Sequence, residues 1–512
     1  MRYNIHIKFL FFFLIMVCVK PSLFSQMYVG NDTLYGNEWI DFSQNYYKIK
    51  VSENAMYRIT GAFLSQNGIN INLIKGNNFQ LFKNGKEVPL YVSSNQNSLS
   101  ASDYIEFYGE KNGTEFDEFL YANPKKEMLN PKYSLFTDTS CYFLTWSNNL
   151  GKRFQPVVNN INNPPTKESY YFEYETQVFS NSHSKKYIYQ STDKIYDSRF
   201  DKGEGYFSGF ETSRDIKFSP TNLNSSISES NCIIRYVSRK DNNNVSISMN
   251  GTSLSQGIKT WYEVTEDTLL LSSNLLNSGA NLKITGDLGV AFAALKYPRN
   301  FDFSGKSFVE ITLSASATDK YLEISNFISG SKNPIIYDVT NNIRIESTLD
   351  NNGLLKVKLP PSPTTRKIII NADNGLKTIN SIEKVVFFDI TSNLKLDYII
   401  LSNKLLYNDG NGINWVQNYA DYRSSNEGGN YKVKIFEIEE IYDQFGYGIH
   451  RSPQTIRNFG HFLVKKLTQK PTIFLIGEGR EYITARTNAE LQDPVNETFH
   501  LRHGVPLVQI IY

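Results

Sequence analysis

Asp397-Tyr-Ile-Ile-Leu-Ser402, Tyr431-Lys-Val-Lys-Ile-Phe-Glu-Ile438 and Thr472-Ile-Phe-Leu-Ile-Gly477 are three β-prone runs separated by two helical patterns. In the first gap, Ile413, Val416, Tyr419 and Ala420 fall at helical spacing and predict a helix over 413–423. In the second, Ser452 stands where a helix N-cap is favoured and Pro453 where the first helical residue tolerates proline. Ile456, Phe459, Leu463 and Leu467 then recur at intervals of three and four, and Lys470-Pro471 ends the pattern. Strands alternating with helices of this length predict a parallel α/β sheet with right-handed crossovers. The run 472–477 is apolar throughout, the pattern of a strand buried on both faces, so Ile473 and Leu475 are expected inside.

In open parallel sheets the chemistry collects outside the carboxyl ends of the strands. Here those ends are Ser402-Asn403, Ile438-Glu439-Glu440 and Gly477-Glu478-Gly479. The last presents an acid between two glycines, which is more often the signature of a plain turn.

These segments, together with the helix around Asn414-Trp415, Ile441-Tyr-Asp-Gln-Phe-Gly-Tyr-Gly448, Thr455-Ile-Arg-Asn-Phe459 and Pro471 to Glu478, resemble the first part of a gingipain-type cysteine peptidase domain. The resemblance implies a caspase-like α/β fold from about residue 395. The β-rich stretch before it resembles the outer-membrane sortases of the type IX secretion system, members of the same family. By that resemblance the activity is thiolate attack on a peptide bond, releasing C-terminal sorting domains from secreted cargo. The implied partners are secreted protein substrates and outer-membrane secretion components. The family usually carries Gly-Asp where this chain has Gly477-Glu478. Its dyad is a His in a Gly-His-Gly turn and a Cys after a later buried strand. No Gly-His-Gly occurs here, and His503-Gly504 is followed by no Cys. No catalytic, cofactor-binding or metal-binding residue is therefore assigned, and the dyad is expected beyond Tyr512. The alternative is a non-enzymatic β-sandwich interaction module at the cell surface.

The other features fit an exported, strand-rich chain. At 512 residues there is room for two to four domains, and a net charge of +2 gives no electrostatic basis for binding nucleic acid. Aromatic residues make up 14% and charged residues 20%, a balance that favours strands. Arg2 and Lys8, the apolar run Phe9–Val19, and Ser22 and Ser25 form a secretory signal ending near Gln26. Its eleven apolar residues span only about 16 Å as a helix, too short to cross a bilayer. Val17 before Cys18 argues against a lipoprotein site. The expected destination is periplasm, outer membrane or cell surface.

Period-two alternation dominates 27–392, with Asn84-Gly85 and Asn250-Gly251 predicting two-residue hairpin turns. Pro360-Pro361-Ser-Pro363 reads as a rigid turn between strands, and the asparagines around Pro164-Pro165 as a connector. The expected organisation is a signal peptide (1–26), two β-sandwich regions (27–160 and 161–393) and a partial α/β domain (394–512), with no helical period before 394. Asp201-Lys-Gly-Glu-Gly205 has too few oxygen ligands for a calcium loop and is expected to be a turn. His450 and His461 flank a helix start, and His500 and His503 are three apart without a third ligand nearby, so none is assigned to a metal; His461, on a helix and off its apolar stripe, is expected in a surface or boundary role. Cys141 and Cys232 either pair in an oxidising compartment or remain buried thiols.

Overall fold

Positive φ at Asn84 (+48°) and Gly85 (+73°) closes the hairpin of strands Phe79–Lys83 and Lys86–Val88, and Asn250 (+49°) with Gly251 (+82°) closes a second between Asn243–Met249 and Thr252–Lys259. Both turns carry the residue pair that a twisted two-residue connection requires. They belong to a computed structural model that describes residues 27–29, 32–184, 188–190, 193–195, 202–277, 279–391, 395–477, 479–480, 486 and 499–500. The signal segment, Asp201, Glu478, His503 and the tail lie outside the described residues.

Two sheets enclose the first core. One is five-stranded, in the order 383–385, 46–51, 140–146, 79–83, 86–88; the other is four-stranded, in the order 377–378, 55–60, 104–109, 91–92. Ile49, Val51, Ile59, Phe79, Leu81, Ile105, Phe107 and Leu144 fill the space between them. Strands 377–378 and 383–385 return from far along the chain to complete both sheets.

A twelve-stranded sheet follows, organised by the twenty-residue strand Ala280–Arg299. The first half of that strand pairs with Glu211–Phe218 and Asn243–Met249, the second with Tyr171–Val178 and Glu229–Ser238. The other end of this sheet, through Ile311, Ile368 and Ile370, packs against a three-stranded sheet that supplies Leu322, Ile324 and Val357. The 360–363 prolines turn the chain from Leu355–Leu359 in the smaller sheet to Arg366–Asn371 in the larger. The region is not wholly without helix: Gly61–Gln66 forms one turn and a half, capped by Thr60 Oγ1 accepting from Phe63 N at 3.2 Å, and Pro124–Glu127 forms another turn. Both are too short to show a period in sequence.

The α/β unit comprises β1 (Tyr398–Ser402), α1 (Trp415–Ser424), β2 (Val433–Glu437), α2 (Ile438–Phe445), α3 (Pro453–Lys466) and β3 (Thr472–Ile476). All three strands are parallel, in the order β2–β1–β3. The first strand is therefore central, and helices cover both of its faces. Tyr398 and Ile400 meet Val416 and Ala420 of α1, while Ile399 and Leu401 meet α2 and α3. The burial expected of 472–476 belongs instead to β1, all five residues of which are buried. β3 stands at the edge among the described strands. Ile473 and Leu475 are half-buried and Phe474 is 40% exposed. α1 is capped by Asn414, whose Oδ1 accepts from Gln417 N at 3.0 Å, so Ile413 lies before the helix and is exposed. Ser452 sits at the N-cap of α3 but makes no capping hydrogen bond; its buried Oγ has no partner. The sequence pattern gives no sign of α2, because the strand β2 runs into it without a break.

Phe459 on α3 is fully buried, its ring 5.7 Å from Phe436 and 5.1 Å from Phe445. Phe459→Ala is expected to cost about 3–5 kcal/mol in urea unfolding of the full chain. A loss below about 0.5 kcal/mol, as at ordinary surface sites, would show that the α3 stripe is not core.

Candidate functional site

The register sets Ser402, Glu437 and Ile476 side by side, so the three carboxyl ends form one rim. Ser402 is buried and its Oγ unpartnered; Asn403 Oδ1 accepts from Leu405 N at 3.0 Å and turns the chain away from β1. Glu437 binds both neighbouring segments, accepting from Glu439 N at 2.8 Å and Lys404 N at 3.3 Å. Gly477 adopts φ +151°, a conformation that favours glycine, immediately after β3.

Three carboxylates crowd the start of α2. Burial holds Glu437 and Glu440 above the ordinary glutamate value. Burial acts the same way on Glu439, but the His450 imidazole outweighs it, with Nδ1 at 2.8 Å from Oε2, and holds Glu439 below its ordinary value. His450 also stacks on Tyr442. Sequence placed His450 only beside a helix start, because nothing in an eleven-residue separation from Glu439 signals a contact.

Behind this rim the α/β unit is fastened to the first sandwich. Lys48 Nζ lies 2.8 and 3.1 Å from the two carboxylate oxygens of Asp443 on α2 and 3.3 Å from Glu383. Lys48 and Asp443 are each 4% exposed. Burial raises the Asp443 carboxyl; Lys48, though buried, is held above its usual value by that carboxylate. Gln444 bonds to both the N–H and the C=O of Phe388, and Arg486 reaches Asp138 at 2.7 Å and Ser134 O at 2.6 Å.

Neither Cys141 nor Cys232 meets the needs of a nucleophile. Both are free, so the pairing left open by the sequence does not occur. Cys141 Sγ donates to Gly448 O at 3.3 Å; burial and then the Asp443 carboxylate push the thiol up to about 12. Burial alone pushes Cys232 to about 12. A nucleophilic cysteine needs the opposite shift and an imidazole within reach. Among the described residues no His, Cys, Asp and Glu cluster has metal-holding composition. Gly205–Phe207, at the end of the acidic loop, is a strand paired with Ser182–Ser184. His461 is partly buried on α3, where burial and then Arg457 and Lys465 lower its pKa.

Two measurements check this site. Iodoacetamide at neutral pH should leave Cys141 and Cys232 unlabelled in the folded protein and label both in urea; labelling of either in the fold, competed by a peptide substrate, would make it a nucleophile. Lys48→Met should cost about 3–5 kcal/mol by stranding Asp443, and adding Asp443→Leu should recover most of it. Equal losses for the single and double variants would show that the pair is not the fastening.

No curated protein sequence gives a significant match. Residues 391–499 match the model of peptidase family C25. Among solved structures, dimeric latent PorU from Porphyromonas gingivalis aligns with a TM-score of 0.57 at 14% identity, over 91% of this chain and 45% of its own. This chain thus spans about half the length of that protein. A β-porphyranase of glycoside hydrolase family 86 from Bacteroides plebeius aligns over 50% of this chain and 35% of its own at 12% identity, with a TM-score of 0.14, too low to carry an argument. Among the described residues no helix is long and apolar enough to cross a membrane. The expected likeness therefore holds at two levels: residues 391–499 match the model of the gingipain family, C25, and the chain has the fold of latent PorU over 91% of its length.

Proposed function

We propose that this protein is an exported gingipain-like cysteine peptidase of the sortase kind, which releases C-terminal sorting domains from secreted cargo. The observation that supports this reading most is the pairing of a parallel α/β unit, matching family C25 at 391–499, with upstream β-sandwiches arranged as in PorU. The chemistry is thiolate attack on a peptide carbonyl with an imidazole as proton shuttle. Cys141 and Cys232 take no part in it. The rim of β1, β2 and β3 supplies the wall beside which such a dyad works, its carboxylates already ordered by Glu437 and His450. The proposed partners are secreted proteins and outer-membrane secretion components, and the proposed location is the periplasm, the outer membrane or the cell surface.

Deleting the gene in the producing cell and weighing secreted cargo by mass spectrometry tests the reading. Cargo that keeps its C-terminal sorting domain, with processing restored by the intact gene, is the expected result. Normally processed cargo would overturn the peptidase reading, and if that cargo also fails to reach the surface, a non-enzymatic interaction module takes its place. The same spectra should place the mature N-terminus of the protein near Gln26 or Met27; Met1 retained on a cytoplasmic product would remove the export assignment.

A further inference from the structure

A cavity of about 590 Å³ opens where four segments meet: the first strands of the described chain, the Asn84-Gly85 turn, the 115–119 loop and the α2–α3 loop. That volume lies within the range of small-ligand sites. Trp39, Phe116, Phe119 and Tyr447 line it. Phe116 and Tyr447 meet edge to face at 5.7 Å. Tyr447 holds φ +55°, a costly conformation for a bulky residue and one that tends to persist at functional sites. Gly85 keeps the space between two of these rings open: an added Cβ would sit 3.0 Å from Tyr447 Cε1 and 3.2 Å from Trp39 Cδ1.

The charges around this aromatic wall are unevenly matched. Glu38, Glu115 and Glu118 line the cavity against Lys83 and Lys86. Lys83 is already 3.4 Å from Glu110, and Lys86 is an exposed side chain on the hairpin. Glu38 spends its carboxylate on the backbone N–H groups of Tyr35 and Gly36, which leaves its negative charge in place. Among the described residues no basic side chain lies within ion-pair distance of Glu115 or Glu118, and Lys125 acts on Glu118 only from farther off. Burial and then the neighbouring Glu115 hold Glu118 above the ordinary glutamate value, a load that an incoming cation relieves. Aromatic faces attract cations and stack on the apolar stems that carry them.

We propose that this cavity binds an alkylammonium or guanidinium group carried on an apolar stem. The proposal stands apart from the peptidase reading, since binding is measured without turnover. One wall, Tyr447, belongs to the α2–α3 loop, and the others belong to the sandwich side, so an occupant touches both parts of the molecule at once.

Saturation-transfer NMR on the full chain tests it with three probes: agmatine, acetyl-Gly-Arg-Gly-amide, and the same peptide with neutral citrulline for Arg. The arginine peptide or agmatine should bind saturably, and the citrulline peptide about tenfold more weakly. Tighter binding of the peptide than of agmatine assigns the site to a polypeptide side chain; equal binding assigns it to a free small cation. Glu118→Gln and Phe119→Leu should each weaken the arginine peptide several-fold with the melting temperature held. Should Phe119→Leu fail to fold, Glu118→Gln, at an exposed position, decides alone. Citrulline binding as well as arginine, no binding by either cation at millimolar concentration, or full binding by Glu118→Gln would overturn the proposal.

Discussion

A buried ion pair, Lys48 with Asp443, constrains how the two halves of this molecule sit together. Lys48 projects from the middle of a sandwich strand into the first turns after β2, where Asp443 takes both of its short contacts. Removing an ammonium and a carboxylate from water costs several kcal/mol each, and the loss is offset only when geometry is good and the remaining donors are satisfied. Here Glu383 supplies the second carboxylate from the solvent side of the pair, 61% exposed, so the site need not neutralise itself fully. The pair joins residues 395 apart in sequence, and any slippage of α2 along the sandwich would strand one charge.

That fastening also sets the order at the rim. α2 begins where β2 ends, so fixing Asp443 also fixes Glu439 and Glu440 one turn earlier, and through Glu439 the His450 imidazole. The loop from α2 to α3 is compressed against the sandwich. Gly448 lies so close to Cys141 that an added Cβ would stand 2.6 Å from the cysteine Cβ. Tyr447 and Arg451 both take positive φ within this short loop, at roughly 1–3 kcal/mol each. Such strain persists only where the surroundings over-determine the backbone, and the Cys141–Gly448 hydrogen bond and the Lys48–Asp443 pair do so from either side.

The architecture was legible wherever one local pattern settled it. Asn84-Gly85 and Asn250-Gly251 require their turns, and the alternation Tyr46-Tyr-Lys-Ile-Lys-Val51 does describe a strand with Ile49 and Val51 inward. The same alternation misleads about the other face. Lys48 reads as solvated, yet it is buried, because a unit encoded almost 400 residues later covers it. Likewise β1 and β3 are equally apolar in sequence, and only the strand order β2–β1–β3 tells which is enclosed. The rim was legible as three strand ends. Its electrostatics were not, since Glu439–His450 is a contact between a helix and a loop with no periodic trace. The aromatic cavity was hidden for the same reason: its four walls come from separate stretches, and Trp39, Phe116 and Tyr447 each read as ordinary core residues.

The polar side chains at the junction explain why apolar packing alone is insufficient there. Phe388, Phe436, Phe445 and Phe459 supply area, but stacked and edge-on rings tolerate rotation and sliding. Gln444 closes two hydrogen bonds on the backbone of Phe388, and Asn458, held within the α/β unit by Phe445 O at 3.0 Å, also donates to Met27 Sδ at 3.7 Å; each has one acceptable orientation. Left unpaired in that interior, either amide would cost about 1–3 kcal/mol, so they select one docking geometry out of several that bury equal apolar area. Apolar area settles that the two parts dock, and the directional contacts settle how they are oriented.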